Sequence, residues 1–143
     1  MSDTEMQEVE SDWWFIGLPE EWRTEQDDDS ILIFDQDELG CISLSTLQAQ
    51  HGKPATANDV RELVLEVGMR LDDGKACKIG DDYQGWEFET VEEGDYIREW
   101  FLHAGDHLLL ISYACAEDDR DMDRAAVDQI LDSLRLKVSE EAS

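Results

Sequence analysis

The residues of this chain that are best suited to chemistry are carboxylates gathered in two clusters. The first is a run of three consecutive aspartates and the second crowds a later segment; together they comprise Asp27, Asp28 and Asp29, and Asp118, Asp119, Asp121 and Asp123. Carboxylates held in a defined geometry coordinate hard cations such as Ca²⁺ and Mg²⁺. Without that geometry they stay solvated and attract cations only loosely. We therefore predict no metal site and no cofactor, and interpret both clusters as candidate surfaces for contact with a basic protein.

A third acidic stretch, Asp35-x-Asp37-x-x-Gly40, has the spacing with which an EF-hand calcium loop begins. Such a loop needs an oxygen ligand at its fifth position and a bidentate Glu at its twelfth. This chain has Leu39 and Thr46 at those positions. The stretch is rich in turn-forming residues, so we predict a hairpin turn there.

Candidate catalytic groups are few. His51, His103 and His107 are the only histidines, and the short turn between the last two would let them face each other across a hairpin. No cysteine stands at a zinc-ligand spacing. Neither a Gly-x-Ser-x-Gly elbow nor a glycine-rich phosphate loop occurs. We therefore predict that the chain is not an enzyme.

The elements that must position these groups follow from the hydrophobic pattern. Alternating or short apolar runs predict strands, and apolar spacings of three and four residues predict amphipathic helices. Strands are expected at residues 13–18, 31–34, 41–47, 76–79, 86–90, 96–102 and 107–115, and helices at 56–71 and 121–133. Short turns containing glycine separate the last three strands, which predicts an antiparallel meander.

These elements predict an α+β protein with a central, mostly antiparallel sheet of about six or seven strands and two main helices, an α/β/α-type sandwich. A chain of 143 residues fits one domain, which we place at residues 11–137. Residues 1–10 and 138–143 are polar and acidic, and we expect them to be disordered tails.

The aromatic residues near the N-terminus leave two interpretations. Trp13, Trp14 and Phe15 are consecutive, so in a strand the outer two point to one face and Trp14 to the other. In a sheet covered on both faces all three belong to the core, which is the first expectation. The alternative is an open sheet face on which Trp14 and Trp100 line a groove for a protein partner.

The charge restricts the partners. The chain has 37 Asp and Glu against 11 Lys and Arg, a formal net charge of −26. A surface this negative repels nucleic-acid backbones and anionic membranes and attracts basic proteins. We expect another protein with a basic or apolar segment as the partner, and neither nucleic acid nor membrane. The alternative is an adaptation to high salt, which screens the self-repulsion of the charge.

The cysteines and the N-terminus bear on the compartment. Cys41, Cys77 and Cys115 are odd in number and widely spaced, which is typical of reduced thiols in a cytosol. The N-terminus has no secretory-signal pattern, and the longest apolar run, at residues 108–111, is far too short to span a bilayer. We expect a cytoplasmic protein.

Several short motifs occur in an order that is known from one family. They are GLPEEW at residues 17–22, GWEF at 85–88, REW at 98–100, ISY at 111–113 and ILDSLRL at 130–136. In order and spacing, over roughly residues 12–136, the chain resembles the Mog1/PsbP-like proteins, more closely their bacterial DcrB-like branch, a domain of unknown function. The resemblance implies a central antiparallel sheet with helices on both faces, and binding rather than catalysis. Its members include a nuclear-transport GTPase cofactor, extrinsic photosystem subunits and small cytosolic chaperones for type VI secretion effectors.

Three functions are compatible with these observations. The leading hypothesis is a non-catalytic, cytosolic binding or chaperone-like protein that engages another protein, such as a secretion-system effector. The alternative is an acidic immunity or inhibitor protein that neutralises a basic toxin, with the two aspartate clusters steering the association. The third is an enzyme or ligand-binding domain with a pocket between helix and sheet, which a polar concave site with a perturbed carboxylate or histidine would indicate.

Overall fold

The fold is built from strands that pair mainly with their neighbours along the chain. The computed structural model describes residues 6–10, 14–19, 22–27, 30–34, 40–48, 55–80, 82–105, 107–119 and 124–136. The strands are β1 (Met6–Glu10), β2 (Trp14–Pro19), β3 (Arg23–Asp27), β4 (Ser30–Phe34), β5 (Gly40–Gln48), β6 (Lys75–Ile79), β7 (Tyr83–Glu92), β8 (Asp95–Ala104), β9 (His107–Ala116) and β10 (Arg135–Leu136). The helices are α1 (Ala57–Glu66) and α2 (Arg124–Asp132), with 3₁₀ turns at Leu71–Asp73 and Glu117–Asp119.

Seven of the strands form the main sheet, in the order β3-β4-β5-β9-β8-β7-β6, and every neighbouring pair in it is antiparallel. β7, β8 and β9 are the predicted meander. A second, small sheet has the order β1-β2-β10. The predicted class, an α+β fold with a mostly antiparallel sheet and two helices, is confirmed.

The larger part of the core lies between one face of the main sheet and a layer made of the small sheet and α2. We call this face of the main sheet the α2 face. Trp14 of β2, Ile130 of α2, and Trp100 and Ile111 of the main sheet are all buried within this cluster. Trp14 also donates a hydrogen bond from Nε1 to Thr46 Oγ1 across 3.2 Å, which joins the small sheet to β5.

The opposite face, which we call the α1 face, is covered in part by α1. The helix packs on β8 and β7. Val60 and Val64 of α1 are fully buried against Phe88 and Phe101. The two phenylalanine rings meet edge to face with centroids 5.6 Å apart, which is a favourable aromatic geometry. The helix is therefore fixed over one half of this face only.

Helix α1 is shorter than its pattern predicted. It begins with a capping box, in which the Asp59 N–H donates to the Thr56 hydroxyl and the Thr56 N–H donates to the Asp59 carboxylate. It ends at Glu66 because Gly68 takes a φ of +86°, the left-handed conformation that commonly terminates a helix. Val67, which lies within the helix predicted over residues 56–71, is consequently outside the observed helix and 51 % exposed.

The expectation of a disordered tail over residues 1–10 is wrong for its second half. Met6–Glu10 forms β1, which pairs antiparallel with β2 and sets Val9 opposite Ile16. Val9 packs against the main core, so the pairing with β2 and one apolar side chain together dock this acidic segment. Residues 1–5 and 137–143 lie outside the described part of the chain.

Strand β3 was not predicted from the sequence. Its five residues, Arg23–Asp27, are all polar or charged, so no apolar alternation marks them. β3 pairs with β4 at the edge of the main sheet, and the side chains of Arg23 to Gln26 are exposed. Charged residues on an edge strand are a common protection against pairing with another chain.

Candidate functional site

The two tryptophans proposed for a binding groove lie in the core. Trp14 and Trp100 are each 1 % exposed, on the α2 face beneath the small sheet and α2. The groove interpretation of these two residues is therefore wrong, and the core interpretation of Trp14 is right. Trp13 lies outside the described residues. The cause is the small sheet, which covers a face that the groove would have needed open.

The described residues of the two aspartate clusters lie on different elements. Asp27 ends β3 in register with Ser30, whereas Asp118 and Asp119 lie in the 3₁₀ turn that follows β9. Asp28, Asp29, Asp121 and Asp123 fall outside the described residues, as does the side chain of Asp27. Within the described ranges no group of three His, Cys, Asp or Glu side chains could hold a metal ion.

From Gly40 onward, the stretch with the EF-hand spacing is strand and not loop. Gly40–Gln48 is the extended strand β5, so the last positions that a calcium loop would need, up to Thr46, are paired with β9. β4 and β5 do form an antiparallel hairpin, with residues 35–39 between them outside the described part of the chain. The hairpin prediction holds at the level of the two strands.

The two histidines near the β8–β9 turn do not face each other. The register pairs Ala104 with His107 and His103 with Leu108, so the two imidazoles point to opposite faces of the sheet. His107 is buried on the α2 face, and its Nε2 lies 2.8 Å from Tyr83 Oη. This pair belongs to the core. His51 is outside the described residues.

The more open surface of the sheet lies on the α1 face beside the helix. α1 covers β8 and β7, while the side chains of β5 and β4 on the same face are only partly buried, and Leu47 is 44 % exposed. We call this region the open half; its side chains are Leu32 and Phe34 of β4, Cys41, Ser43, Ser45 and Leu47 of β5, and Leu110, Ser112 and Ala114 of β9.

A row of polar side chains crosses the sheet where the open half meets α1. Glu99 of β8 is paired with Ser112 of β9, and Ser112 with Ser43 of β5. Side chains in such cross-strand pairs have their Cβ atoms about 5 Å apart. On the other side Glu99 is paired with Phe88, which is buried under α1. One carboxylate and two hydroxyls therefore stand side by side at the border of the helix.

These side chains line a pocket with a volume of about 170 Å³. Its lining residues are Ser43, Ser45, Glu99, Trp100, Phe101, Leu110, Ile111 and Ser112. The Ser45 hydroxyl lies 2.7 Å from that of Ser30, with which it shares a hydrogen bond. We call this cavity the Glu99 pocket.

Burial raises the pKa of the Glu99 carboxyl above its ordinary value, with loss of solvent as the cause. Among the described residues Glu99 takes part in no hydrogen bond or ion pair, in contrast to the carboxylates on the α2 face of β7. Arg98 binds Glu87 across 2.7 Å and Asp128 across 3.1 Å.

Glu89, the other carboxylate on the α2 face of β7, also differs from Glu99 in having partners. Glu89 accepts hydrogen bonds from Tyr96 and Arg124, and the Tyr96 hydroxyl is the main reason why the pKa of Glu89 is lowered. The pKa of Glu99 moves in the opposite direction. A desolvated carboxylate without a partner in a concave polar site is a feature of ligand sites.

The Glu99 pocket meets the criterion that the third hypothesis set, a polar concave site with a perturbed carboxylate. Apart from Trp100, the sequence itself identified none of the residues that line it. The alternation of residues 41–47 in the predicted strand puts Ser43 and Ser45 on the face opposite Ile42 and Leu44. The structure agrees, since Ile42 and Leu44 are buried and the two serines are partly exposed. The missing information is the register between β5, β9 and β8, which alone brings Ser43, Ser112 and Glu99 into one row. The available signal was Glu99 itself, a glutamate within the mostly apolar strand predicted at residues 96–102.

Comparisons with known proteins bear on the fold. The chain's sequence matches no family profile and no curated protein. It is similar to a crystal structure from Bacteroides thetaiotaomicron with a TM-score of 0.65 and 17 % identity, which covers 89 % of this chain and 46 % of that one. The chain thus spans less than half the length of that protein.

Two further solved structures are similar over nearly their whole length. One is LpqN, described as involved in cell envelope biogenesis of Mycobacterium tuberculosis, with a TM-score of 0.55, 13 % identity and coverage of 96 % of this chain and 93 % of that one. The other is the cyanobacterial PsbP, CyanoP, of Synechocystis sp. PCC 6803, with a TM-score of 0.48, 15 % identity and coverage of 95 % of both chains. The likeness to LpqN and to the Bacteroides structure shows a shared fold, a mostly antiparallel sheet with two helices. In the described residues no helix is long and apolar enough to cross a membrane.

Proposed function

We propose that this chain is a non-catalytic binding protein that holds a basic segment of another protein on the open half of the main sheet. The observation that carries the proposal is Glu99, a desolvated carboxylate without a partner among the described residues, in a serine-lined pocket on a partly exposed sheet face. A docked cation would supply the partner that the described residues do not.

The surface around the pocket supports a protein segment as the ligand. Leu32, Phe34 and Leu47 lie on the open half with partly exposed side chains, so the face offers apolar contacts beside the carboxylate. The guanidinium of Arg23 already lies over the Phe34 ring, 4.9 Å from its centroid, a cation–π contact. A segment with both basic and apolar side chains would use both kinds of contact.

The chemistry of the pocket favours binding over catalysis. A serine nucleophile needs a base within hydrogen-bond reach. In the described part of the chain the pocket serines have only Ser30 as a hydrogen-bond partner, through Ser45. A carboxylate beside such hydroxyls forms an acceptor surface, and that surface suits a donor-rich ligand.

The net charge of −26 supports the same partner. A strongly acidic protein accelerates encounter with a basic one, and salt weakens that steering. A chaperone-like role toward a secretion-system effector and a cytoplasmic location belong to this proposal as its narrower form. The alternative, an acidic inhibitor of a basic toxin, rests on charge alone, and it would use the aspartate clusters instead of Glu99.

The proposal is tested with a displayed library of random twelve-residue peptides, selected against the immobilised protein at low salt. We expect enrichment of peptides that combine basic and apolar residues. Ser43→Arg places a cation on the open half, so it should weaken binding of the enriched peptides by about tenfold or more. Thr24→Arg makes the same charge change on the exposed strand β3, and its affinity should stay within about twofold of the wild type. Fluorescence anisotropy with labelled peptides measures both.

Two outcomes would overturn the proposal. One is a selection that enriches no sequence. The other is a set of enriched peptides whose affinity falls equally in the Ser43→Arg and Thr24→Arg variants, because binding would then follow net charge and not the open half.

A further inference from the structure

We infer that the Glu99 pocket is a subsite for the primary ammonium group of a lysine side chain in the bound segment. The inference rests on the proposed function, because the lysine belongs to the segment that docks on the open half. It adds the chemical group that the pocket recognises.

The polar atoms of the pocket form a set of acceptors suited to an ammonium group. Glu99 brings a carboxylate, and Ser112 and Ser43 bring hydroxyls that make no hydrogen bond within the described residues. A lysine ammonium has three donors and no acceptor. A carboxylate and two neighbouring hydroxyl oxygens can each accept one of these donors.

The walls of the pocket suit the rest of a lysine side chain. Phe101 and Leu110 are paired directly opposite each other in the next row of the sheet, and both line the pocket. A lysine buries its four-carbon stem along apolar surface of this kind while its charged end reaches a polar group. The row with Glu99 and the row with Phe101 thus divide the pocket into a polar and an apolar side.

The same arrangement favours lysine over arginine. A guanidinium binds a carboxylate through a rigid planar fork with two parallel hydrogen bonds. In that geometry two of its five N–H groups bind Glu99 and the other three stay in the same plane, so the group adapts less readily to the hydroxyls of Ser112 and Ser43. A compact ammonium with donors in three directions uses the whole row.

The desolvation of the Glu99 carboxylate is the reason why we expect the pocket to bind a cation. Burial raises the pKa of this carboxyl, so its ionised form is disfavoured by lost hydration. On the α2 face of β7, Glu87 and Glu89 are compensated by Arg98 and Arg124. No described side chain does this for Glu99, and a ligand ammonium would.

The test uses small probes on the isotope-labelled full chain. Nα-acetyl-lysine N-methylamide is titrated while amide chemical shifts are followed, alongside its arginine counterpart and its Nε-acetylated, neutral counterpart. We expect the lysine probe to shift amides around Glu99, Ser112 and Ser43, and the neutral probe to shift none. Glu99→Gln should raise the dissociation constant by about tenfold or more, and Glu66→Gln, on the exposed surface of α1, by less than about twofold.

The remaining outcomes separate this inference from the proposed function. If the library peptides bind Glu99→Gln as tightly as the wild type but lose affinity for Ser43→Arg, the open half is the docking surface and the ammonium subsite is wrong. An arginine probe that binds as well as the lysine probe also overturns it. Putrescine binding about tenfold tighter than the lysine probe would assign the pocket to a free diamine and overturn the lysine assignment. If Glu99→Gln leaves the binding of the lysine probe unchanged and Ser43→Arg leaves the binding of the library peptides unchanged, both the inference and the proposed function are wrong.

Discussion

At the scale of single residues, two neighbours in β8 carry opposite charges to opposite faces of one sheet. Arg98 is buried on the α2 face, where it binds Glu87 and Asp128 and stacks 4.6 Å from the centroid of the Trp100 ring. Glu99 faces the other way and has no such partner among the described residues. Arg98 contributes to the core, whereas Glu99 keeps a carboxylate in a pocket that a ligand can reach.

This difference predicts that Glu99 costs stability. Because the folded-state pKa of Glu99 is raised, the folded protein binds more protons than the unfolded chain at pH values above the ordinary glutamate pKa, and stability falls as pH rises through that window. We expect Glu99→Gln to raise the free energy of unfolding by about 0.5–1 kcal/mol at neutral pH. The gain should vanish below about pH 4, where the wild-type carboxyl is protonated in both states.

Urea unfolding at a series of pH values measures this difference. Glu66→Gln is the matched control, since Glu66 is exposed on α1, and its effect should stay within about 0.5 kcal/mol. A Glu99→Gln variant that is less stable than the wild type at neutral pH would mean that Glu99 already has a stabilising partner in the folded chain.

Part of the site could be predicted from the residues alone and part could not. Alternation in β5 correctly separated Ser43 and Ser45 from Ile42 and Leu44. No local pattern predicts that Ser43 lies beside Glu99, which is fifty-six residues further along the chain, because hydrogen bonding between strands decides the register. The Trp14–Trp100 groove was wrong for the related reason that exposure of a sheet face depends on what packs over it.

At the scale of elements, the strands with clear apolar alternation and both helices were predicted, and the polar strands were not. β7, β8 and β9 are marked by aromatic and branched residues and by turns with glycine. β1 and β3 are polar and acidic, so their sequences do not predict strands. They are strands because they pair with the apolar strands β2 and β4. Tertiary context therefore decides the two segments that propensity leaves undetermined.

The docking of β1 gives a direct prediction. Val9 is partly buried against the core and opposite Ile16, so Val9→Asp would place a charge without a partner in an apolar site. We expect the free energy of unfolding to fall by about 1–3 kcal/mol. Glu8→Gln, at an exposed position of the same strand, should change it by less than about 0.5 kcal/mol. Chemical denaturation measures both, and equal stabilities for the two variants would indicate that β1 is an undocked tail.

At the scale of the whole molecule, the charge of −26 acts on stability as well as on partners. Like charges over one small surface repel one another, and this repulsion is relieved when the chain expands. Salt shortens its range to about 8 Å at physiological ionic strength. The compact state should therefore gain more from added salt than the unfolded chain does.

We expect the thermal unfolding midpoint to rise by several degrees when NaCl increases from about 0.05 to about 0.5 M. A variant in which four exposed glutamates are replaced by glutamine provides the control; they are Glu8, Glu66, Glu92 and Glu117. Its midpoint should depend less on salt, because less repulsion remains to be screened. A wild-type midpoint that does not change with salt would show that the acidic surface exerts no net strain on the fold.

The edge strand β3 bears on how a partner segment would be bound under the proposed function. It borders the open half, and its exposed charged side chains discourage another strand from continuing the sheet. Under the proposed function, a segment docked on the open half would have no edge strand to pair with there and would be bound through its side chains. Its backbone would be free to be helical or extended, and sequence changes in it would matter only at the positions that touch the sheet. Such a surface would select by the character of the bound side chains, so that one small protein would serve several partners.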